Sequence, residues 1–335
     1  MNCKRFLITG CSGFVGRHFL NCLYEKKQQM DILGIDMKAP TFDLDRYADR
    51  LHFSFCEVNL LDRDRLYQVL AEFEPQYILH LASFSSVAYS WQHPEDSFVN
   101  NTNIFLNLTS VLKELQLPCR ILSVGSSEEY GNVSDADLPL REDMYLKPVS
   151  PYAVARVSQE MLARVFVDNY GLDIILTRSF NHIGPWQDER FVVPSFIRRI
   201  LNILDEASNS GSGVSDTDPV KGEIETGDVS IVRDFVDVRD VVEAYYLLLM
   251  RGTAGEIYNI CSGHGLTLSD IVSQIGELCG VQVHTKVNPE FVRPNDNRVV
   301  IGSYDKIGTE LGWKPVIPWE KTLSDMIDCM RDRMN

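Results

Sequence analysis

The chain has 335 residues, 44% hydrophobic and 24% charged, an ordinary balance for a protein that folds around a substantial core. Its formal net charge of -15 leaves no concentrated positive surface, which argues against nucleic acid as a partner and requires a few arginines to converge if a ligand is anionic. The opening MNCKRFLITG runs straight into a glycine-rich turn without the features of a leader, and no stretch approaches the roughly 18 apolar residues of a membrane span. Neither export nor a membrane location is expected, and the 8 scattered cysteines, with no CxxC pair, read as cytoplasmic thiols.

In chain order, Arg5 to Thr9 (RFLIT) is a short apolar strand that breaks at Gly10, Gly13 and Gly16. Phe19, Leu20 and Leu23 then share one face of a helix expected over Arg17 to Lys26, and the strand Ile32 to Ile35 ends at Asp36. Strand, glycine turn, helix and a second strand ending in an acid make a mononucleotide-binding unit. The alternation continues through strand His52 to Val58, helix Asp62 to Phe73, strand Tyr77 to His80, helix Pro94 to Glu114, strand Arg120 to Val124 and a helix from near Ser150. Strand Asp173 to Arg178 is expected to complete a parallel sheet whose ligand lies across its C-terminal strand ends.

Beyond Phe180 loops lengthen, short strands appear at Glu223 to Thr226 and Glu256 to Ile260, and helices start near Asp237, Thr267 and Trp319. The segment Glu206 to Lys221 is polar and glycine-rich and reads as a mobile surface loop. The expected fold class is α/β: a Rossmann-like parallel sheet over residues 1–180, rejoined by a segment near 229–255, with a smaller C-terminal α/β substrate-binding lobe over most of 181–335.

Three groups of residues carry chemistry. Gly10, Gly13 and Gly16 let the backbone turn tightly and approach a pyrophosphate, with Phe14 and Val15 between them. Asp36 stands where an acid accepts ribose hydroxyls and repels a 2'-phosphate, favouring NAD(H), although nearby Lys38 keeps NADP(H) possible; the plain alternative is an exposed turn acid. In the second group, Tyr152 and Arg156 are four apart and stack on one helical face, while Ser126 leaves the sheet in Gly125-Ser-Ser-Glu-Glu-Tyr-Gly131. A tyrosine can protonate a carbonyl as hydride arrives if a positive charge favours its phenolate, and Arg156 supplies that charge through a broad planar head that cannot deprotonate. Glu128 can abstract a proton beside a ketone or merely orient a sugar hydroxyl. The third group is Asn181, Arg233 and Arg293, which can converge on a diphosphate or form separate surface ion pairs, with Glu189 and Arg190 near the sugar or capping the next helix. The 7 histidines form no metal-like cluster; His182 is the most site-like, His80 structural, and no catalytic metal is expected.

TGCSGFVG, HLASFSSV, GSSEEYG, SPYAVAR, RSFNHIGP, RDFVDVRDV, YNICSG and LGWKP together resemble the extended short-chain dehydrogenase/reductases that act on nucleotide sugars, almost from end to end. The combination of SFNHIGPWQ, VRDFVDVRDVVEAYYLLL, GEIYNICSGHG and FVRPND is most similar to members that reduce GDP-linked 4-keto-6-deoxy sugars to GDP-D-rhamnose. The resemblance implies that Gly10, Gly13, Gly16, Asp36, Asn59, Leu60, Leu81, Ala82 and Ser83 line the cofactor, with Asn101 buried near them. It implies Ser126 and Tyr152 as the catalytic hydroxyls, Arg156 where the family has lysine, and Asn181, Arg233 and Arg293 around the diphosphate. It also implies a homodimer through helices Asp96 to Glu114 and Ser150 to Phe166. A 4,6-dehydratase using Ser126 and Glu128, a C4 epimerase, and a non-catalytic NAD or nucleotide-sugar-binding protein remain alternatives.

Overall fold

The computed structural model describes residues 3–209, 220–292 and 297–334. The first unit runs β1 (Lys4–Thr9), α1 (Phe14–Glu25), β2 (Met30–Asp36), β3 (Leu51–Glu57), α2 (Arg63–Phe73), β4 (Tyr77–His80), α3 (Val87–Gln92), α4 (Pro94–Leu115), β5 (Arg120–Ser126), α5 (Pro151–Tyr170) and β6 (Asp173–Ser179). It continues with β7 (Asn181–Ile183), α6 (Val192–Asn209), β8 (Val220–Thr226), β9 (Val232–Asp237), α7 (Val238–Arg251) and β10 (Ile257–Ile260). Last come β11 (Gly265–Thr267), α8 (Leu268–Cys279), β12 (Val281–Val287), β13 (Val299–Val300), α9 (Asp305–Leu311) and α10 (Trp319–Met334).

Seven parallel strands form the main sheet in the order β10-β6-β5-β4-β1-β2-β3. The chain winds outward in both directions from β1, so a crevice opens beyond the C-terminal ends of β1 and β4. Alternation along each strand builds two cores: Phe6 and Ile8 pack with Phe19, Leu23, Val241 and Tyr245 of α1 and α7 on one face. On the other, Leu7, Ile78 and Ile121 pack with Leu66, Phe105, Leu108 and Phe166 of α2, α4 and α5.

The strand β10 corrects the expectation that the chain segment ending at Arg178 closes the sheet. Ile257 to Ile260 pair with Leu176 to Ser179, placing β10 outside β6 at the sheet edge. Its four residues are short and apolar, a pattern that does not name the sheet a strand joins. A third core brings Val193, Ile197 and Ile200 of α6 against Ile271 and Ile275 of α8 and Leu323 and Ile327 of α10. The small sheets β11-β9-β13, with β7 beside β9, and β12-β8 lie with it. Glu206 is helical and Val220 begins β8 opposite Val281, so both ends of the expected 206–221 loop are regular structure; residues 210–219 lie outside the described residues.

Helix starts follow side-chain caps: Asp62 accepts from Arg65 N at 3.0 Å, Ser150 from Ala153 N at 3.1 Å, and Thr267 from Asp270 N at 3.0 Å. Helix α1 is different, because its N-cap is Gly13 with no side chain to cap it, and it begins at Phe14 rather than Arg17. Gly16 lies where an added Cβ would stand 2.4 Å from Cys11 O, so α1 can approach the turn only without a side chain there. Gly16→Ala is expected to destabilise the fold by about 1–3 kcal/mol through forced separation of helix and turn, read as a lower urea midpoint with an unchanged slope.

Candidate active site

The crevice is built first from backbone. Gly10 has φ of 70°, and an added Cβ would meet Ala82 N at 2.8 Å, so glycine is required both by conformation and by the crossing chain at Leu81 and Ala82. Thr9 locks that crossing: its hydroxyl accepts from Ala82 N at 3.2 Å and meets His80 Nδ1 at 2.8 Å. Burial pushes the His80 imidazole well below the usual histidine range, with the Arg156 charge adding to the effect. Asn101, 1% exposed, accepts from Phe84 N at 2.8 Å and donates to Phe84 O at 3.1 Å, fixing the strand exit that carries Ser83.

The amino end of α1, without a side-chain cap and without an acid in its first turn, presents N–H groups and a positive dipole end to this crevice. The Asp36 carboxylate at the end of β2 accepts from Ser12 N at 3.1 Å and Met37 N at 2.7 Å, placing an acid beside the same turn. These features fit a dinucleotide: an anion at the helix start and ribose hydroxyls at the acid. Asn59 is exposed and uses its side chain to accept Leu61 N at 3.0 Å, while Leu60 is buried and its carbonyl accepts from Asn107 Nδ2 at 2.9 Å. Phe14 stacks on His182 at 6.2 Å between centroids, and Val15 packs on the core beside it.

Beyond the crevice lie the three residues of the second group. Ser126 ends β5 opposite Ser179, and its hydroxyl accepts from Glu128 N at 3.2 Å. Tyr152 and Arg156, on the first turns of α5, are 6% and 5% exposed. Arg156 Nε donates to the Tyr152 hydroxyl at 3.2 Å, one terminal nitrogen donates to Val124 O at 3.1 Å and Gln159 Oε1 at 2.8 Å, and the other donates to Ser83 Oγ. A fixed positive charge therefore touches the phenol oxygen, and the planar head reaches two strand ends at once. Glu128 is half-buried in the turn after β5.

Behind Ser126 is a set of buried ionisable side chains that sequence reasoning missed. Glu129, 1% exposed, accepts the Ser126 N–H at 2.7 Å. Glu160 of α5 and Arg178 of β6 form a paired ion contact with both N–O distances 3.0 Å. Burial first, and the neighbouring Glu160 second, raise the Glu129 carboxyl well above the usual carboxylate range. The adjacent letters Glu128 and Glu129 carry no sign of which one folds inward; only the glycine at 125 hints at it.

The third group is dispersed. Asn181 starts β7, just past the strand end facing Ser126, and donates to Asp234 O at 3.4 Å. Arg233 donates to Asn297 O at 2.8 Å, and Asn297 in turn donates to Gly131 O at 2.6 Å, linking Arg233 to the end of the GSSEEYG turn. Arg190 is exposed and holds Asp188, two residues away, with N–O distances of 2.9 and 3.0 Å. Glu189 pairs with Arg198 of α6 at 2.7 Å. Arg293 lies outside the described residues. Among the described residues no His, Cys, Asp and Glu group could hold a metal ion, and no helix is long and apolar enough to cross a membrane.

A family model described as GDP-mannose 4,6 dehydratase matches residues 7–326. The chain is 29% identical over 331 residues to the GDP-6-deoxy-D-mannose reductase of Pseudomonas aeruginosa, covering 99% of this chain and 98% of that protein. Among solved structures, RMD from Pseudomonas aeruginosa complexed with NADPH matches with a TM-score of 0.79 at 29% identity, covering 99% of this chain and 98% of that one. UDP-glucose 4-epimerase from Thermotoga maritima with UDP-glucose matches with a TM-score of 0.84 at 27% identity, covering 99% and 100%.

Arg178→Met leaves Glu160 and Glu129 buried together with only the half-exposed Arg164 guanidinium, 3.6 Å from Glu160, and is expected to cost about 3–5 kcal/mol in urea denaturation near neutral pH. Buried acids with raised folded pKa contribute stability at low pH that is lost as pH rises. The deficit should therefore be smaller at about pH 5 than at about pH 8.

Proposed function

The chain belongs to the GDP-mannose 4,6 dehydratase family, nucleotide-sugar enzymes with the extended short-chain dehydrogenase/reductase fold, and from that premise we propose that it reduces the C4 ketone of GDP-4-keto-6-deoxy-D-mannose to GDP-D-rhamnose. The observation that carries the reading is the Arg156 guanidinium donating to the Tyr152 hydroxyl beside the strand that ends at Ser126. The full-length similarity to the Pseudomonas aeruginosa reductase supports the substrate.

Gly10, Gly13, Phe14, Val15 and Gly16 would hold the pyrophosphate of a nicotinamide cofactor and Asp36 its ribose; such a cofactor, reduced, would supply the hydride to a ketone carbon. Asp36 favours NADH over NADPH, because a 2'-phosphate would meet its carboxylate. Tyr152 gives its proton to the ketone oxygen, so the C4 carbonyl gains hydride at carbon and proton at oxygen and becomes the C4 hydroxyl. The Ser126 hydroxyl holds that oxygen in place, and Arg156 stabilises the phenolate left on Tyr152. Arginine keeps its own protons, so the proton that restores the phenol comes from solvent rather than through Arg156. Glu128, beside Ser126, orients a sugar hydroxyl, and Asn181, Arg190, Arg233 and Arg293 act on the nucleotide-sugar side.

In this reading residues 1–180, with the returning segment near 229–255 and β10 after it, bind the cofactor, and the rest of 181–335 binds the sugar nucleotide. All eight cysteines are free, which supports a reducing, cytoplasmic setting. A dehydratase reading draws on Glu128 standing two residues after Ser126 and on the family description.

The deciding measurement incubates the protein with GDP-4-keto-6-deoxymannose and NADH or NADPH, and separately with GDP-mannose and NAD or NADP. Stoichiometric cofactor oxidation with GDP-rhamnose formed supports the reductase, and a keto sugar from GDP-mannose without net cofactor change supports the dehydratase. Tyr152→Phe should lower kcat at least about 100-fold with the sugar KM little changed. Arg156→Lys keeps the charge but cannot make the four contacts of the planar head, and should lower kcat about 10- to 100-fold; an equal or faster lysine variant would reject that account of the arginine.

Assembly is proposed from the outward faces of α4 and α5, which expose Phe98, Leu106, Val154, Met161 and Val165. Val154, Met161 and Val165 recur on one helix face, suited to a four-helix contact between two copies. Light scattering should give twice the chain mass for the unmodified protein and the single chain mass for Met161→Glu.

A further inference from the structure

Glu129 takes no part in the chemistry described so far, yet its placement is costly. A carboxyl group that is 1% exposed forfeits its hydration, and an apolar side chain of similar volume would fill the site without that penalty. Two features show what the carboxyl does there. One oxygen, Oε1, accepts the Ser126 N–H at 2.7 Å. The same oxygen lies 2.4 Å from where a Cβ on residue 125 would stand, so Gly125 leaves the space into which the carboxyl folds. The carboxyl also hydrogen-bonds the Glu160 side chain, itself held by Arg178.

The contact bears on the reaction because of where Ser126 sits. Its side-chain oxygen accepts Glu128 N while its backbone N–H is held by Glu129, so both sides of the residue are fixed within one turn. The turn hangs from the end of β5, and α5 carries Tyr152 past it. Two hydroxyls from separate elements must meet one ketone oxygen, and an error of about 1 Å in either can cost as much as 100-fold in rate.

Resting on the ketone reduction proposed above, we propose that Glu129 is a positioning residue for it: its carboxyl, wedged between Gly125 and the Glu160–Arg178 pair, holds the Ser126 backbone so that the serine hydroxyl meets the sugar C4 oxygen together with the Tyr152 hydroxyl. The acid works in its neutral form. Two carboxyl groups share one buried guanidinium, and burial keeps the proton on Glu129, whose carbonyl oxygen still accepts the Ser126 N–H. Glutamine is then a near-isostere that keeps both the acceptor and a donor toward Glu160, and leucine removes both.

The test uses the full chain and five forms: wild type, Ser126→Ala, Glu129→Leu, Glu129→Gln and the Ser126→Ala/Glu129→Leu double variant. Each is assayed with GDP-4-keto-6-deoxymannose and reduced cofactor, and each is melted. Glu129→Leu should lower kcat about tenfold with sugar KM within about twofold, while its melting temperature holds or rises, as replacement of a buried polar group by an apolar one of similar volume allows. The double variant should be no slower than Ser126→Ala by more than about twofold, because the glutamate acts through the serine. Glu129→Gln should recover kcat to within about threefold of wild type. Hydrogen exchange gives a readout independent of turnover: the segment 121–131 should exchange faster in the leucine variant and at the wild-type rate in the glutamine variant. If the leucine variant does not fold, Glu129→Asp, which withdraws the acceptor by one methylene, takes its place in the same cycle.

Wild-type turnover in Glu129→Leu, losses from residues 126 and 129 that multiply, or a glutamine variant as slow as leucine would overturn the inference while leaving the reduction standing. Silence of the wild type on the keto sugar, or a Ser126→Ala variant as fast as wild type, would overturn the reading on which it rests and the inference with it.

Discussion

The geometry of the site depends on the buried pair of Glu160 and Arg178, 4% and 2% exposed. A fork of two N–O contacts at 3.0 Å fixes α5 against β6 in rotation as well as distance, which a single point contact would not do. Such a pair is weak evidence for stability, since its desolvation offsets much of its attraction, but it strongly disfavours any arrangement that leaves either partner alone. The rest of the guanidinium is also used: it donates to Glu142 O at 3.1 Å and lies 4.8 Å over the Tyr130 ring. Tyr130 then donates to Asn259 Oδ1 at 2.7 Å, and Asn259 donates to Leu140 O and Ser303 O. One buried cation thus ties the helix of Tyr152, the turn of Ser126, the edge strand β10 and the 140–142 loop into a single frame.

Arg156 works by the same principle at the surface of that frame. Lysine would bring a point charge with three donors on a flexible stem, whereas the guanidinium distributes its donors in a plane. Here that plane spans the Tyr152 hydroxyl, the end of β5 at Val124, Gln159 on its own helix and Ser83 at the exit of β4. Gln159 is itself tied to Ser123 Oγ at 2.8 Å, so the arginine is braced by the strand it contacts. The substitution of a broad head for a narrow one is accommodated by polar partners on every side. What arginine gives up is proton relay; what it gains is an orientation fixed by four bonds.

How much of this could be read from the letters divides along physical lines. The β1, α1 and β2 unit was legible because glycine spacing and apolar periodicity are local, and the capped starts of α2, α5, α7 and α8 fell within a residue of expectation for the same reason. Sheet membership is not local, and the apolar letters of Ile257 to Ile260 do not reveal that they pair with β6 rather than with the strands of the lobe. The helical spacing of Tyr152 and Arg156 implied contact, which the 3.2 Å bond bears out, but not the bonds to Val124 and Ser83 that come from other strands. Arg190 shows the opposite limit: its partner Asp188 is two residues away, a pairing that neither a sugar contact nor a cap on the next helix anticipates. The inward turn of Glu129 is set by Gly125, Glu160 and Arg178, which lie on three different elements.

The overall acidity of the chain and its expected anionic ligand are reconciled at the helix starts. Helices α2, α4, α7, α8, α9 and α10 each carry an acid in the first turn, the ordinary way to offset the positive end of a helix dipole. Helices α1, α3, α5 and α6 have none, and of these α1 starts at the crevice and α5 carries the Tyr152 site. The dipoles of α1 and α5 are left uncompensated where a pyrophosphate and a developing oxyanion need them. Charges on the outer surface act across water and are screened within about 10 Å at ordinary ionic strength, whereas a helix start and a buried guanidinium act at contact range through protein. A net charge of -15 therefore acts on how the molecule meets other macromolecules, while the acid-free start of α1 leaves a locally positive helix end at the crevice.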